Sequence, residues 1–334
     1  MTSQIIHDGS IAGGIPSIPE FRAVAADVFA ERAARLRVLA PGHALGEYLR
    51  FVAALSDAQD RALRAAISAA SDGGSSWGQP DAHTLQHCHA HGLPPLSVEG
   101  HRRDPVWREL LAQITGSITA DALPAQAQAV IAALAHSKTE AAHSKTEAAH
   151  SKTEAAHSKT ETLEAAAGSL LAGAFAEVDP AQAPFIAAAL QVYWVKLALQ
   201  LGQAGFSRDV QYGLCRVCGS HPVASIVRVG GAAQGLRYLV CSLCASEWHV
   251  VRVKCAACAS TKGISTFGIE GASEAVKAEC CDECKTYLKI FYLEKNTALD
   301  PVADDLATLA LDMLVDEQGY NRSGPNLLFL PGAA

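Results

Sequence analysis

The chain has 334 residues, enough for about two domains with at least one sizeable core. Apolar residues make up 49% and charged ones 18%, an ordinary globular balance. A net charge of −7 and a pI near 6.0 argue against a chain-wide binder of nucleic acid or anionic membrane, which would be basic.

The opening residues, MTSQIIHDGSIAGG, lack a basic stretch followed by an apolar run, and the expectation is a cytoplasmic protein. PEFRAVAADVFAERAARLRVLA spaces Phe21, Val24, Val28, Phe29, Leu36 and Leu39 along one helical face, and Pro41-Gly42 stops it. Leu45, Tyr48, Leu49, Val52 and Leu55 start a second helix, and Asp72-Gly73-Gly74-Ser75-Ser76 marks a loop. In HTLQHCHAHG, Cys88 stands among His83, His87, His89 and His91. The tract lacks fixed ligand spacing and runs into Gly92 and Pro94-Pro95, so it reads as a surface loop with incidental histidines.

Further helical patterns cover Arg108 to Ile118, Pro124 to Leu134 and Thr162 to Phe175. HSKTEAA occurs three times from His136 and restarts as HSKTE at His157. Two alanines in each heptad are too little for a coiled-coil seam. Histidines spaced by one heptad lie about 10 Å apart along a helix and cannot share an ion. The array reads as a repeat expansion on an exposed helix extension or loop. PFIAAALQVYWVKLALQLG is near membrane-spanning length but carries Gln191, Lys196 and Gln200, which favours a buried helix in the middle of a bundle over a membrane span. Residues 1–207 therefore read as an all-α domain, with 136–161 of low complexity.

From residue 208 the pattern changes to strands (ASIVRV, LRYLVC, EWHVVRV, TYLKIFYL), and nine of the ten cysteines fall here. Cys215/Cys218 and Cys241/Cys244 recur at one constant offset as Cys255/Cys258 and Cys281/Cys284, so the pairs of each copy are equally spaced. At the same offset Gly231 falls on Gly271, Trp248 on Leu288, and Val250-Val251 on Ile290-Phe291. The region is therefore a duplication of one unit, 208–250 and 251–297.

The resulting pattern, C-x2-C-x22-C-x2-C, is close to the spacing of a four-thiolate metal site. Two sulfurs turn inward from each knuckle, and the metal supplies folding free energy that a unit of this size lacks, on the order of 10–16 kcal/mol in small zinc modules. Each unit is expected to close its own site, giving two metal ions. The rival readings are disulfides, a thioredoxin-like redox pair, and a cross-brace in which the first and third pairs share an ion. Tetrahedral S4 suits zinc or a rubredoxin-type iron, and spacing does not choose. Cys280 has Val240 at its offset and reads as a spare buried thiol.

No phosphate loop or H-E-x-x-H is present, and a four-thiolate site is coordinatively full, so the expectation is a non-enzymatic protein. Residues 208–295 carry eleven Lys/Arg against eight Asp/Glu, too mild a charge for a nucleic-acid stripe. In the tail, 298–334, a helix is expected over Asp304 to Val315, with Asp304 as its cap and Asp305 favouring the same end.

CRVCGSHPVAS, LRYLVCSLCASEW, CDECKTYLK and DPVADDLATLALDMLVDEQGYNRSGPNLLFLPG resemble the FdhE family of formate dehydrogenase accessory proteins, as do FAERAARLRVLA and EYLRFVAALSDAQ. The resemblance covers nearly the whole chain except the HSKTEAA array. It implies a helical domain fused to two rubredoxin-like or zinc-ribbon modules and a C-terminal helix. The eight CxxC cysteines carry over as ligands, with iron favoured over zinc. It further implies a cytoplasmic assembly factor that binds the catalytic subunit of exported respiratory formate dehydrogenase before twin-arginine export. Asp304 and Asp305, in the DPVADDL stretch, would contribute to that partner surface. The alternatives are a rubredoxin-like electron carrier and a zinc-ribbon nucleic-acid binder.

Overall fold

The computed structural model describes residues 18–71, 77–119, 125–135 and 149–330. Strand β1 (Phe21–Arg22) precedes seven helices: α1 (Val28–Leu39), α2 (Gly46–Ser71), α3 (Ala82–Ala90), α4 (Val106–Ser117), α5 (Ala125–Ala135), α6 (Ala149–Ala172) and α7 (Ala183–Leu201). Strands β2 (Pro222–Val227), β3 (Arg237–Cys241), β4 (Glu247–Val250), β5 (Ile264–Phe267), β6 (Val276–Cys281) and β7 (Thr286–Tyr292) follow. The tail holds α8 (Ala303–Leu306), α9 (Leu309–Glu317) and β8 (Asn321–Arg322). The HSKTEAA array lies outside the described residues up to 148, and its end forms the start of α6.

Helix α7 is the axis of the helical part. Apolar on every side, it is buried from Ala183 to Ala198, with α2, α4 and α6 packed around it. By length and composition it could cross a membrane, but 83% of its apolar window is buried within the protein. Its polar groups are mostly satisfied internally. Tyr193 donates to the Trp77 carbonyl at 2.9 Å, and Trp194 Nε1 to the Leu96 carbonyl at 2.9 Å.

The ribbon strands share one sheet with the two short terminal strands, in the order β1-β4-β3-β2-β7-β6-β5, with β8 also beside β7. Each unit is a three-stranded antiparallel meander, β2-β3-β4 and β5-β6-β7. The two meanders join by a parallel pairing of β2 with β7, which sets Ser225 opposite Ile290 and Val227 opposite Tyr292. Arg237 of β3 and Glu279 of β6 form an ion pair at 2.7 Å that reaches across this seam, both side chains buried.

Three expectations change. Phe21, read as part of the first helix, lies in β1, where it pairs with Trp248 and stacks on Phe206 with centroids 4.9 Å apart. Covering the β4 edge outweighs helical periodicity at that point. The HTLQHCHAHG tract is a helix, not a loop: the Asp81 carboxylate accepts the Thr84 N–H at 2.7 Å and starts α3. The tail helix divides into α8 and α9, and the capping carboxylate is Asp300, which accepts the N–H groups of Val302 and Ala303 at 3.0 and 2.7 Å.

Candidate metal centres

Each cysteine pair sits on a tight knuckle with backbone N–H groups turned toward sulfur. Val217 and Leu243 each approach the first sulfur of their knuckle at 3.4 Å, and Ala257 does so at 3.3 Å. The residue after each second cysteine adopts the left-handed conformation: Gly219 (φ 77°), Ala245 (56°), Ala259 (63°) and Lys285 (53°). The knuckle imposes that geometry whether or not glycine is present. The glycine at 219 is therefore no guide to which metal is bound.

The eight sulfurs gather into two sets of four, Cys215/Cys218/Cys241/Cys244 and Cys255/Cys258/Cys281/Cys284, with all ligand atoms of a set within 4.8 Å of one another. Across the first set Cys215–Cys244 is 3.6 Å and Cys218–Cys241 3.4 Å. Across the second, Cys255–Cys284 is 3.6 Å and Cys258–Cys281 3.7 Å. A tetrahedral ion with metal–sulfur bonds of about 2.3 Å needs sulfurs about 3.8 Å apart. A disulfide needs about 2.05 Å. The donor sets thus fit one four-coordinate ion each. Each is closed within its own unit, so the cross-braced arrangement does not occur.

The thiols titrate against each other as well as against burial. Burial pushes Cys215 and Cys241 well above the usual thiol range, and hydrogen-bonding sulfur neighbours add to it. Burial opposes ionisation of Cys244 too, yet hydrogen bonds from Cys215, Cys218, Cys241 and Ser246 bring it well below that range. In the second set burial pushes Cys255 up to about 12. Burial also opposes ionisation of Cys284, but the Thr286 hydroxyl 3.0 Å away leads the hydrogen bonds that draw it down to about 7. Both sets therefore favour partial thiolate character, and a cation would complete it. Cys280 belongs to neither set; it is fully buried and burial raises it to about 12.

The two centres differ in their surroundings. The first is roofed by the helical domain. Leu96 and Val98 donate to the carbonyls of Val217 and Cys218, both at 2.9 Å, which lays residues 96–98 along one knuckle. Gln191 of α7 donates to the Ser242 carbonyl at 2.8 Å on the other, and is itself held by Gln59 at 2.9 Å. All four of its cysteines are buried. In the second centre Cys258 is exposed and Cys284 half-buried. The tail braces its second knuckle, where Tyr320 donates to Asp282 at 2.8 Å and Asn321 to the Lys285 carbonyl at 2.8 Å.

Asp304 and Asp305 are 3% and 0% exposed. Arg35 of α1 holds Asp304 in a two-pronged pair at 2.6 and 2.9 Å. Asp305 takes Arg322 at 2.7 Å, Asn326 at 2.9 Å and the fully buried Lys289 of β7 at 3.2 Å. Both carboxylates are engaged inside the molecule, tying the tail to α1 and to the second ribbon. Cys88 packs inward on α3, while His83, His87, His89 and His91 are exposed.

The comparisons with known proteins follow this layout. The FdhE N-terminal family matches residues 18–154 and 140–208, the FdhE central domain 214–252, and the FdhE C-terminal domain 253–329. A protein FdhE homolog of Edwardsiella ictaluri is 41% identical over 91% of this chain and 89% of its own. The chain belongs to the FdhE family. Protein FdhE of Escherichia coli K12 is 37% identical over 92% of this chain and 89% of its own. The crystal structure of the FdhE protein from Pseudomonas aeruginosa matches with a TM-score of 0.75 at 35% identity, covering 94% of this chain and all of that one. The overlap between the two N-terminal matches, 140–154, lies within the HSKTEAA array, as a local repeat insertion in an FdhE helical domain would produce.

Proposed function

We propose that the chain is a non-enzymatic accessory protein for maturation of formate dehydrogenase, acting in the cytoplasm on the catalytic subunit before export. The observation that carries this reading is family likeness along almost the whole chain, with both sets of four cysteines intact and gathered. Each set holds one metal ion, iron by family resemblance. Four thiolates fill a tetrahedral ion and leave no position for a substrate.

In this reading the first ion is a staple that locks ribbon to helices, and the surface that meets the client lies around the second ribbon. Asp304 and Asp305 contribute to that surface indirectly, by clamping α8 between α1 and β7. Pull-down of the tagged full chain from cells making the catalytic subunit is expected to recover that subunit. Its consistent absence, with metal-replete bait, overturns the reading. The exposed Cys258 favours one further role, a redox contact at the client. Protein purified without oxygen would then show a reversible iron–thiolate absorption band. A colourless, zinc-filled protein that still supports maturation removes that role.

A further inference from the structure

The helix that replaces the expected loop at residues 82–90 brings two imidazoles together. His87 and His91 are one turn apart, joined by the His91 N–H to His87 carbonyl hydrogen bond at 3.1 Å, and their ring centroids lie 4.5 Å apart at 50°. Both are exposed. His83 is exposed one turn before His87, and no set of three ligating atoms that includes these histidines gathers among the described residues. His89 Nε2 lies 3.0 Å from the Ala204 carbonyl, and the Cys88 side chain is buried. We propose that His87 and His91 form a surface chelate for one divalent transition-metal ion, separate from the two thiolate centres.

The chemistry is that of any H-x-x-x-H pair on one helical face, the arrangement zinc enzymes use for two of their ligands. Two imidazole nitrogens at about 2.0–2.1 Å from one ion stand about 3 Å apart, within reach of rings whose centroids are 4.5 Å apart. Imidazole suits nickel as well as copper and zinc, whereas the thiolate sets suit zinc or iron, so nickel is the ion that distinguishes the clip from the knuckles. Two ligands leave the remaining positions to water or to a group from a partner. The clip is held on a rigid mount. Asp81 caps the start of α3, and the chain leaving its end runs to Leu96 and Val98, whose N–H groups bond the first metal knuckle. An ion here would sit one short loop before the residues that roof the first centre.

The test is calorimetric titration of Ni2+ into the full chain with both thiolate sets already saturated with zinc, paired with proton NMR of the histidine signals. One equivalent of Ni2+ is expected to bind and to broaden His87 and His91 selectively. His87→Ala and His91→Ala should each weaken that equivalent at least tenfold. His89→Ala should leave it unchanged, and so should replacement of the repeat histidines 136, 143, 150 and 157 by glutamine. His87→Gln and His91→Gln keep a polar side chain at the helix end, and circular dichroism checks that α3 persists in every variant. An isotherm unaltered in the His87→Ala/His91→Ala double variant overturns the proposal. So does a nickel equivalent that disappears with the repeat histidines alone.

Discussion

Replacing Arg237 with methionine tests whether the two ribbons depend on one buried charge pair across their seam. The Arg237 side chain is fully buried, its partner Glu279 is 7% exposed, and their charged atoms are 2.7 Å apart. Removing the guanidinium leaves a carboxylate with no counter-ion in a dry site, a change that costs about 3–5 kcal/mol. At about 2–4 °C per kcal/mol for domains of about 150–250 residues, the melting temperature should fall by about 6–20 °C. The loss should depend on pH. Burial already raises the Glu279 carboxyl, and Arg237 pulls it back. Without Arg237 the carboxyl stays higher still in the folded state than in the unfolded one. The folded state then holds the extra proton, so stability declines as pH rises through the window between the two values. The gap between Arg237→Met and the parent should therefore be widest at pH 8 and shrink toward pH 5. Adding Glu279→Met removes the orphaned charge and should restore most of the stability. Thermal melts of the four proteins of this cycle at both pH values decide the matter. A single variant equally weak at pH 5 and pH 8, or a double variant as unstable as the single, refutes the buried-carboxylate argument.

Three other outcomes are expected. A chromogenic chelator should strip metal in two phases, the second centre first because Cys258 is exposed. Cys258→Ser should remove the fast phase and Cys218→Ser should not; a fast phase lost only with Cys218 reverses the assignment. Val253 holds a left-handed φ of 58° while 64% exposed, and its counterpart in the first unit is Gly213. Relief of the left-handed strain, less the extra backbone freedom of glycine, gives Val253→Gly a gain of about 0.5–1 kcal/mol in denaturant melts. Gly213→Val should be harmful, since a Cβ there meets the Ala256 carbonyl at 2.7 Å. Lys196 on α7 is 1% exposed, its ammonium 4.1 Å from the centre of the Trp77 ring but without a hydrogen-bond partner among the described residues. Lys196→Met should stabilise by about 1–3 kcal/mol, and a destabilised variant would show that the ring contact outweighs desolvation.

The cysteine framework was legible because covalent spacing sets which sulfurs can meet: a constant repeat offset and tight CxxC gaps already separate the two sets. Helix α7 was legible because an apolar surface interrupted by Gln191, Lys196 and Gln200 suits a protein interior better than lipid. Strands β5 and β6 carry weak patterns, ISTF and VKAECC, and are visible mainly as the counterparts of β2 and β3. The parallel seam between β2 and β7 was not legible, since pairing between segments so far apart in the chain leaves no local mark. The internal ion pairs of Asp304 and Asp305 were not legible for a related reason. An acidic run reads as a solvated cap or docking face until the arginines of α1 and the buried Lys289 are placed against it. The α3 helix was hidden by the weak helix propensity of histidine, and the one signal that could have found it was the Asp81-x-x-Thr84 cap.

The ribbons are related along the sheet by a shift, not by a twofold turn: the last strand of one meander adds to the first strand of the other. A shift of this kind does not close on itself, so it can in principle be repeated by a third copy and a fourth. Phe21 and Arg22 end the series on one side by occupying the margin of β4. On the other side β5 has a single strand neighbour among the described residues. Deleting the short leading strand would bare the β4 edge, complementary to the β5 edge of another copy, and the single molecule would acquire the geometry of a fibre subunit.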